Sequence, residues 1–333
     1  MKIRRRIVDG IKDLHVECKY ILTILVMFKH LMGIPNPMPS DRNNEFLLHC
    51  LNKVKKAEYG FNVSDYKVLR ESYANLVLLI NKEYVFKFPK DSENSKRLEM
   101  EIKSLKVLSD SPVPIPRYIF TNQDCNEKFG SYVFFKGKPI NERKSLSNIM
   151  LKQLVDFLNF LHKKEYSGFK GTGINFYTPL FWKIQFEDFM NNVRQNVFSV
   201  MDKELQKLIE NEFEDFLQNT SAFEPSLVHG DLYKDNVLVL GNKISAIIDW
   251  GYASFGDPAI DIAAIAVDFP KEATKILESL DYKLDDDAYN RIEFYIRTEP
   301  LFEIMNGYLM NDSRLIHSGS ERLEASLYRR FIV

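Results

Sequence analysis

The sequence predicts an α+β fold of two lobes: a small β-rich N-terminal lobe with one key helix, and a larger, mostly helical C-terminal lobe. Three observations carry this. Residues 66–88 hold three short apolar runs at strand spacing, followed at once by a helical stripe. From Asn148 onward, 3.6-residue periodicity dominates. That helical region is interrupted by a single hairpin signal near residues 237–248. At 333 residues and 45% hydrophobic content, the chain is long enough for two real cores.

Residues 1–40 form an N-terminal extension. Lys2, Arg4, Arg5 and Arg6 precede an apolar run, Tyr20 to Phe28, with Asp9, Asp13 and Glu17 between them. A secretory signal would place the apolar run close behind the basic residues and follow it with a small-residue cleavage site. The run is too short to span a bilayer. It predicts a helix docked on the body or, alternatively, lying on a membrane or partner, and Gly33-Ile-Pro-Asn-Pro-Met-Pro39 reads as a stiff linker.

The N-terminal lobe is expected over 41–135. Phe46 to Val54 suits a short helix, and Tyr66 to Glu71, Asn75 to Ile80 and Glu83 to Phe88 suit a β-meander. In the last strand Tyr84, Phe86 and Phe88 share one face, while Val85 and Lys87 share the other. A lysine among large apolar neighbours is costly to bury without an anionic partner. The next helix offers one: Glu101 lies within the stripe of Leu98, Ile102, Leu105 and Leu108, whereas Glu99 lies off it. Ser111-Pro-Val-Pro-Ile-Pro116 is an extended connector to a sheet edge, and Ser131 to Gly137 is the last strand with a glycine-marked exit.

The C-terminal lobe is expected over 136–333. Asn148 to His162 is an amphipathic helix ending in a packed histidine, and 176–222 is largely helical and rich in aromatic residues. Val237 to Leu240, the turn signal Gly241-Asn242 and Ile244 to Ile248 make the hairpin. A two-residue turn sets Asn236 opposite Ile247, with Asp249 diagonally across on the same face, within reach of one ion. An amide oxygen and a carboxylate converging in this way suit Mg²⁺, which takes few protein ligands. Asp231, five residues before Asn236, is placed to orient or deprotonate an attacking hydroxyl. From Ile260 onward the pattern returns to helices.

His229-Gly-Asp-x-x-x-x-Asn236 followed by Ile248-Asp249 resembles the catalytic segment of the aminoglycoside phosphotransferase family, whose fold is protein-kinase-like. The run Gly256-Asp-Pro-Ala-Ile-Asp261 strengthens the resemblance, with Asp257 and Asp261 expected as loop-holding acceptors. The segment Arg291 to Gly307 is similar to the C-terminal helices of the type acting on the 2″-hydroxyl. The resemblance spans about residues 45–325. It implies transfer of the γ-phosphoryl group of ATP or GTP to an aminoglycoside hydroxyl, conferring resistance. Asp231 would be the base, Asn236 and Asp249 the Mg²⁺ ligands, and Lys87 with Glu101 the phosphate-binding pair. The backbone around Val133 to Phe135 would hold the purine. The segment Arg70 to Asn75 stands where protein kinases carry a glycine-rich loop, yet it has no glycine; Ser72 and Asn75 are its candidate phosphate contacts. A macrolide or a metabolite alcohol as acceptor, or an inert nucleotide-binding regulator, are the other readings.

Charge points the same way. The net charge of −1 argues against an obligate nucleic-acid binder. Residues 1–140 carry 24 Lys/Arg against 16 Asp/Glu, whereas 249–303 carry 5 against 13. Asp268, Glu272, Glu299 and Glu303 are expected on segments walling the acceptor side of the cleft, where they would attract a cationic substrate. The three scattered cysteines, Cys18, Cys50 and Cys125, fit a reducing, cytoplasmic setting without structural zinc. A monomer is expected, with no nucleic-acid partner and no membrane span.

Overall fold

The computed structural model describes residues 40–56, 61–72, 74–122, 128–143, 145–219, 223–310 and 312–328. The expectations for residues 1–39, including Cys18, and for Cys125 lie outside the described residues.

The chain begins with α1 (Ser40–Lys56), then runs through β1 (Tyr66–Glu71), β2 (Asn75–Ile80) and β3 (Tyr84–Pro89) into α2 (Ser92–Val107). A short β4 (Phe120–Asn122) and β5 (Phe129–Val133) complete an antiparallel sheet of order β1-β2-β3-β5-β4. The meander forms because β2 alternates as its sequence does: Leu76, Leu78 and Ile80 face one way and are buried. They pack with Phe86, Phe88 and Phe129 against Cys50, Leu51 and Val54 of α1. That leaves the opposite face, with Val77, Val85 and Lys87, free to line a cavity. Asp91 starts α2 by accepting from the amide of Asn94 at 2.8 Å.

Next come β6 (Lys138–Pro139), α3 (Asn148–His162) and β7 (Asn175–Phe176), then α4 (Pro179–Asn196) and α5 (Lys203–Asn219). Strands β8 (Ser226–Val228), β9 (Val237–Leu240), β10 (Lys243–Ile247) and β11 (Ser254–Gly256) follow. The chain closes with α6 (Ala259–Ala266), α7 (Pro270–Ser279), α8 (Ala288–Thr298), α9 (Pro300–Met310) and α10 (Ser313–Leu327). Strands β10, β9 and β6 form one small sheet, and β7, β11 and β8 another. Leu154, Phe157, Leu158 and Leu161 bury the apolar face of α3, as its periodicity requires.

The described residues divide into two compact units. One holds 40–177 and 223–296; the other holds 178–219 and 297–328. The lobe boundary expected at residues 135–136 falls inside the first unit, between β5 and β6. In the second unit, Phe189 of α4 stacks on Phe302 of α9 at 4.1 Å, and Phe186 meets Phe216 of α5 edge-on at 5.1 Å. Trp182, Phe186, Phe189, Phe213 and Phe216 are therefore core, whereas Phe176 is exposed.

Cys50 is fully buried, and that burial pushes its thiol from 9.0 up to about 12. Between those values an unfolded chain would lose the proton while the folded one keeps it, so this group's contribution to stability falls as pH rises from 9 toward 12. Alkylation at pH 8 should therefore spare Cys50 until denaturant is added, as read by peptide mass mapping; fast labelling of the native protein at Cys50 would contradict this.

Candidate active site

The face of the five-stranded sheet opposite α1 and the β9–β10 hairpin enclose a cavity of about 470 Å³. Val77 and Val85 line it from the sheet, and Leu238 and Ile248 from the hairpin. Tyr132, Phe134, Phe135 and Gly137 line it along the connecting segment. Its charged end holds Lys87, Glu101, Asp249 and Arg70. Gly137 is required where the chain leaves this segment: it has φ of +145°, and a Cβ there would collide with Ser245 Oγ and the Val239 carbonyl.

Lys87 Nζ donates to Glu101 Oε2 and to Asp249 Oδ1, each at 2.8 Å. Burial alone would push this ammonium toward neutrality, but the charges of Asp249 and Glu101 outweigh it and raise the lysine pKa above its ordinary value. The lysine therefore stays charged within a buried site. Glu101 is fixed from its other side as well, since Tyr118 Oη donates to Oε1 at 2.9 Å. The pairing of Lys87 with Glu101 is the one expected from strand alternation and the α2 stripe. The Tyr118 anchor was not expected, because a residue inside a proline-rich connector carries no periodic signal.

Asp231 and Asn236 sit in the loop between β8 and β9, both nearly inaccessible to solvent. Asn236 Nδ2 donates to the Asp231 carbonyl at 2.9 Å and to its Oδ2 at 2.7 Å. Burial and then the charge of Asp249 push the Asp231 carboxyl well above the usual carboxylate range. Arg70, the Asn236 hydrogen bond and Lys87 pull the other way. The loop is held by Asp261, whose carboxylate accepts from the amides of His229 at 2.9 Å and Gly230 at 3.0 Å. His162, at the end of α3, meets the same carboxylate at 3.1 Å. Asp257 instead takes Arg291 at 2.6 Å and Tyr295 Oη at 2.6 Å. Both aspartates are thus structural acceptors, as the sequence suggests.

His229 is fully buried, and that burial lowers its pKa. Its Nε2 faces the Ile248 carbonyl at 3.1 Å, which can only accept, and its Nδ1 receives the Asp231 amide at 3.2 Å. These partners assign a neutral ring with the proton on Nε2. The side chain thereby ties the Asp231 loop to the hairpin. Gly230 has φ of +75°, and a Cβ would lie 2.6 Å from the Tyr252 carbonyl, so arginine, the protein-kinase residue at this place, would not fit.

The hairpin itself departs from expectation. The pairs Leu240–Lys243 and Val239–Ile244 are as predicted, but the register slips between Ile244 and Ala246. Ile247 then pairs with Val237, and the Ile248 amide donates to the Asn236 carbonyl at 2.9 Å. Asn236 therefore lies opposite Ile248, not Ile247, because a bulge adds one residue to β10. Alternation does not aim Asp249. Its backbone does, with φ of +66°, a left-handed conformation rarely held outside functional or turn positions. Trp250 anchors that kink: it is fully buried, and its Nε1 donates to the Ile247 carbonyl at 3.0 Å.

The donor set fits a hard cation. With Asn236 Nδ2 committed to two acceptors, its Oδ1 is buried and has no hydrogen-bond partner. A buried orphan acceptor beside a carboxylate is what an oxygen-seeking divalent ion needs. No cluster of three or more His, Cys, Asp or Glu side chains that could form a protein cage occurs among the described residues. Mg²⁺ commonly completes its shell with water and phosphate instead. Asp249→Ala should therefore weaken Mg²⁺-dependent nucleotide binding. Nucleotide titrations insensitive to both Mg²⁺ and this substitution would contradict the assignment.

The remaining candidates are placed as follows. Ser72 and Asn75 bond to each other: the Ser72 amide donates to the Asn75 carbonyl at 2.9 Å, and the Asn75 amide to Ser72 Oγ at 3.1 Å. Val133 ends β5 with its side chain in a separate groove beside Pro112 and Ile119, whereas Phe135 borders both that groove and the main cavity. Asp268 pairs with Lys234 at 2.7 Å. Glu272 accepts from the Leu146 amide at 3.4 Å. Glu299 and Glu303 belong to the second unit, are buried, and share Arg322 of α10, which meets Glu303 at 2.7 Å. These two carboxylates are not open to solvent. Sequence charge alone does not reveal this pairing, because Arg322 lies 19 and 23 residues further on, in another helix.

A model of the phosphotransferase enzyme family matches residues 65–294. The chain belongs to that family. Among solved structures, this phosphotransferase-family chain is similar to the GDP and kanamycin complex of APH(2″)-IIIa. The TM-score is 0.77 at 22% identity, covering 84% of this chain and 98% of that one. It is also similar to a macrolide 2′-phosphotransferase from Brachybacterium faecium, with TM-score 0.62 and 18% identity over 80% and 95% of the two chains. At these identities the likeness is one of fold, and the fold is the kinase-like one. Viomycin phosphotransferase from Streptomyces vinaceus is 31% identical over 112 residues, 32% of this chain and 39% of that protein. The chain spans less than half the length of the curated relatives it matches. No described helix is long and apolar enough to cross a membrane.

Proposed function

We propose that this protein is a kinase that transfers the γ-phosphoryl group of ATP or GTP to a hydroxyl of an aminoglycoside, and so confers resistance. The observation that carries this reading is the meeting of Lys87, Glu101 and Asp249 at one end of an apolar slot, with Asp231 close enough to feel the charge of Asp249. Val77, Val85, Leu238 and Ile248 suit a flat base, and the charged end suits phosphates. Tyr132, Phe134 and Phe135 line the slot, where backbone groups of this segment would meet the purine edge.

Asn236 Oδ1 and Asp249 would hold Mg²⁺, which when bound neutralises charge on the phosphate oxygens. Lys87, held by Glu101, neutralises further phosphate charge. Asp231, held by Asn236, orients the acceptor hydroxyl and takes its proton. Catalysis on this account is alignment and charge stabilisation.

For the acceptor, the aminoglycoside reading is supported by the structural neighbours, whose complexes hold kanamycin and gentamicin. The macrolide-kinase neighbour supports a second reading, with a macrolide as acceptor. A thermal-shift panel with Mg²⁺-nucleotide, kanamycin, gentamicin, erythromycin and homoserine separates them. The proposal expects the aminoglycosides to stabilise the protein; stabilisation by erythromycin alone would replace it with the macrolide reading.

A further inference from the structure

Resting on the nucleotide-kinase reading, we propose that Arg70 is a second phosphate-binding cation of this site, acting beside Lys87 where protein kinases use glycine-loop amides. The first observation is a register slip in the sheet. Val68 pairs with Leu78, yet Arg70 pairs with Val77. In an unbroken ladder Arg70 would stand opposite Leu76, which belongs to the apolar core under α1. The extra residue turns Arg70 onto the face of Val77, which lines the cavity.

The second observation is where the side chain goes. Arg70 Nη1 lies 3.3 Å from Asp249 Oδ2, so Asp249 carries two cations, Lys87 on one oxygen and Arg70 on the other. Arg70 keeps about a third of its side chain exposed, against 8% for Lys87, and so is open to an entering ligand. The third concerns the loop beyond it. The amides of Ser72 and Asn75 are spent closing their own turn, and the Ala74 carbonyl accepts from the Lys90 amide at 2.8 Å. With those two amides committed, side-chain donors gain importance, and an arginine fork offers several at once.

Charge accounting links the two states. Without ligand, Lys87 and Arg70 balance Glu101 and Asp249. A divalent cation drawn to Asp249 competes with both, leaving the guanidinium facing incoming phosphate oxygens. Arg70 thus holds Asp249 in place before nucleotide arrives and meets the phosphates afterwards.

Calorimetric titration of the full chain with ADP, GDP, adenosine and guanosine, in the presence of Mg²⁺, tests this. Arg70→Gln should weaken diphosphate binding roughly 10- to 100-fold, the scale of a lost charge-assisted contact, and leave nucleoside binding unchanged. Arg70→Lys should recover part of the loss. Unchanged or tighter diphosphate binding in Arg70→Gln, or an equal loss for nucleosides, would overturn the assignment. Lys87→Met serves as the reference. If it weakens diphosphate binding while Arg70→Gln does not, only the role of Arg70 falls. If the wild-type protein binds diphosphates no better than nucleosides, the nucleotide-site reading falls with it.

Discussion

Replacing Asp231 with asparagine is expected to lower turnover by roughly 10²–10⁴-fold, the range for loss of a positioned general base, with nucleotide affinity and melting temperature nearly unchanged. The substitution is mild in packing terms. An amide oxygen can still accept from Asn236 Nδ2, now 2.7 Å from Asp231 Oδ2, and the Asp261 clamp on His229 and Gly230 is untouched. What is lost is the capacity to take a proton. Removing a buried negative charge beside Asp249 also relieves the repulsion that raises the Asp231 pKa, so the fold has no reason to weaken. Steady-state kinetics and nucleotide titration on the same preparation check this. Wild-type turnover would remove Asp231 from the mechanism.

Lys87→Met is expected to lower both activity and phosphate affinity, and to destabilise the protein. Methionine fills the space but leaves Glu101 and Asp249 without the cation that each now meets at 2.8 Å. Breaking a buried ion pair by removing one partner costs about 3–5 kcal/mol. Glu101→Gln should be milder, because the one amide oxygen of glutamine can still accept from Lys87 while its NH2 can donate to the Tyr118 hydroxyl oxygen. If the pair acts as a unit, the double variant will fall short of the sum of the single effects by roughly 0.5–3 kcal/mol. Strict additivity in melting and in kinetics would mean that the pair is not one unit.

Those residues were legible in the sequence for local reasons. Lys87 follows from strand alternation, Glu101 from the stripe of its helix, and Asp231 and Asn236 from fixed spacing before a hairpin. What escaped was set by backbone irregularity or distant partners. The β10 bulge moved Asn236 from Ile247 to Ile248, and Asp249 reaches the cavity through a left-handed φ rather than through strand facing. A similar slip in β1 re-aims Arg70, which strand alternation would have turned to the core. Tyr118 comes from a connector without periodicity. The acidic residues show the limit of counting charge. Asp268 meets Lys234, and Glu299 and Glu303 meet Arg322, pairings no linear pattern announces.

The most direct test of the central claim is product analysis by mass spectrometry, after incubating the protein with Mg²⁺, ATP or GTP, and kanamycin. The account predicts kanamycin carrying one added phosphoryl group, formed by the wild-type protein and almost absent with Asp231→Asn. Kanamycin left unmodified with either nucleotide would contradict it, as would phosphorylation that proceeds equally well without Asp231.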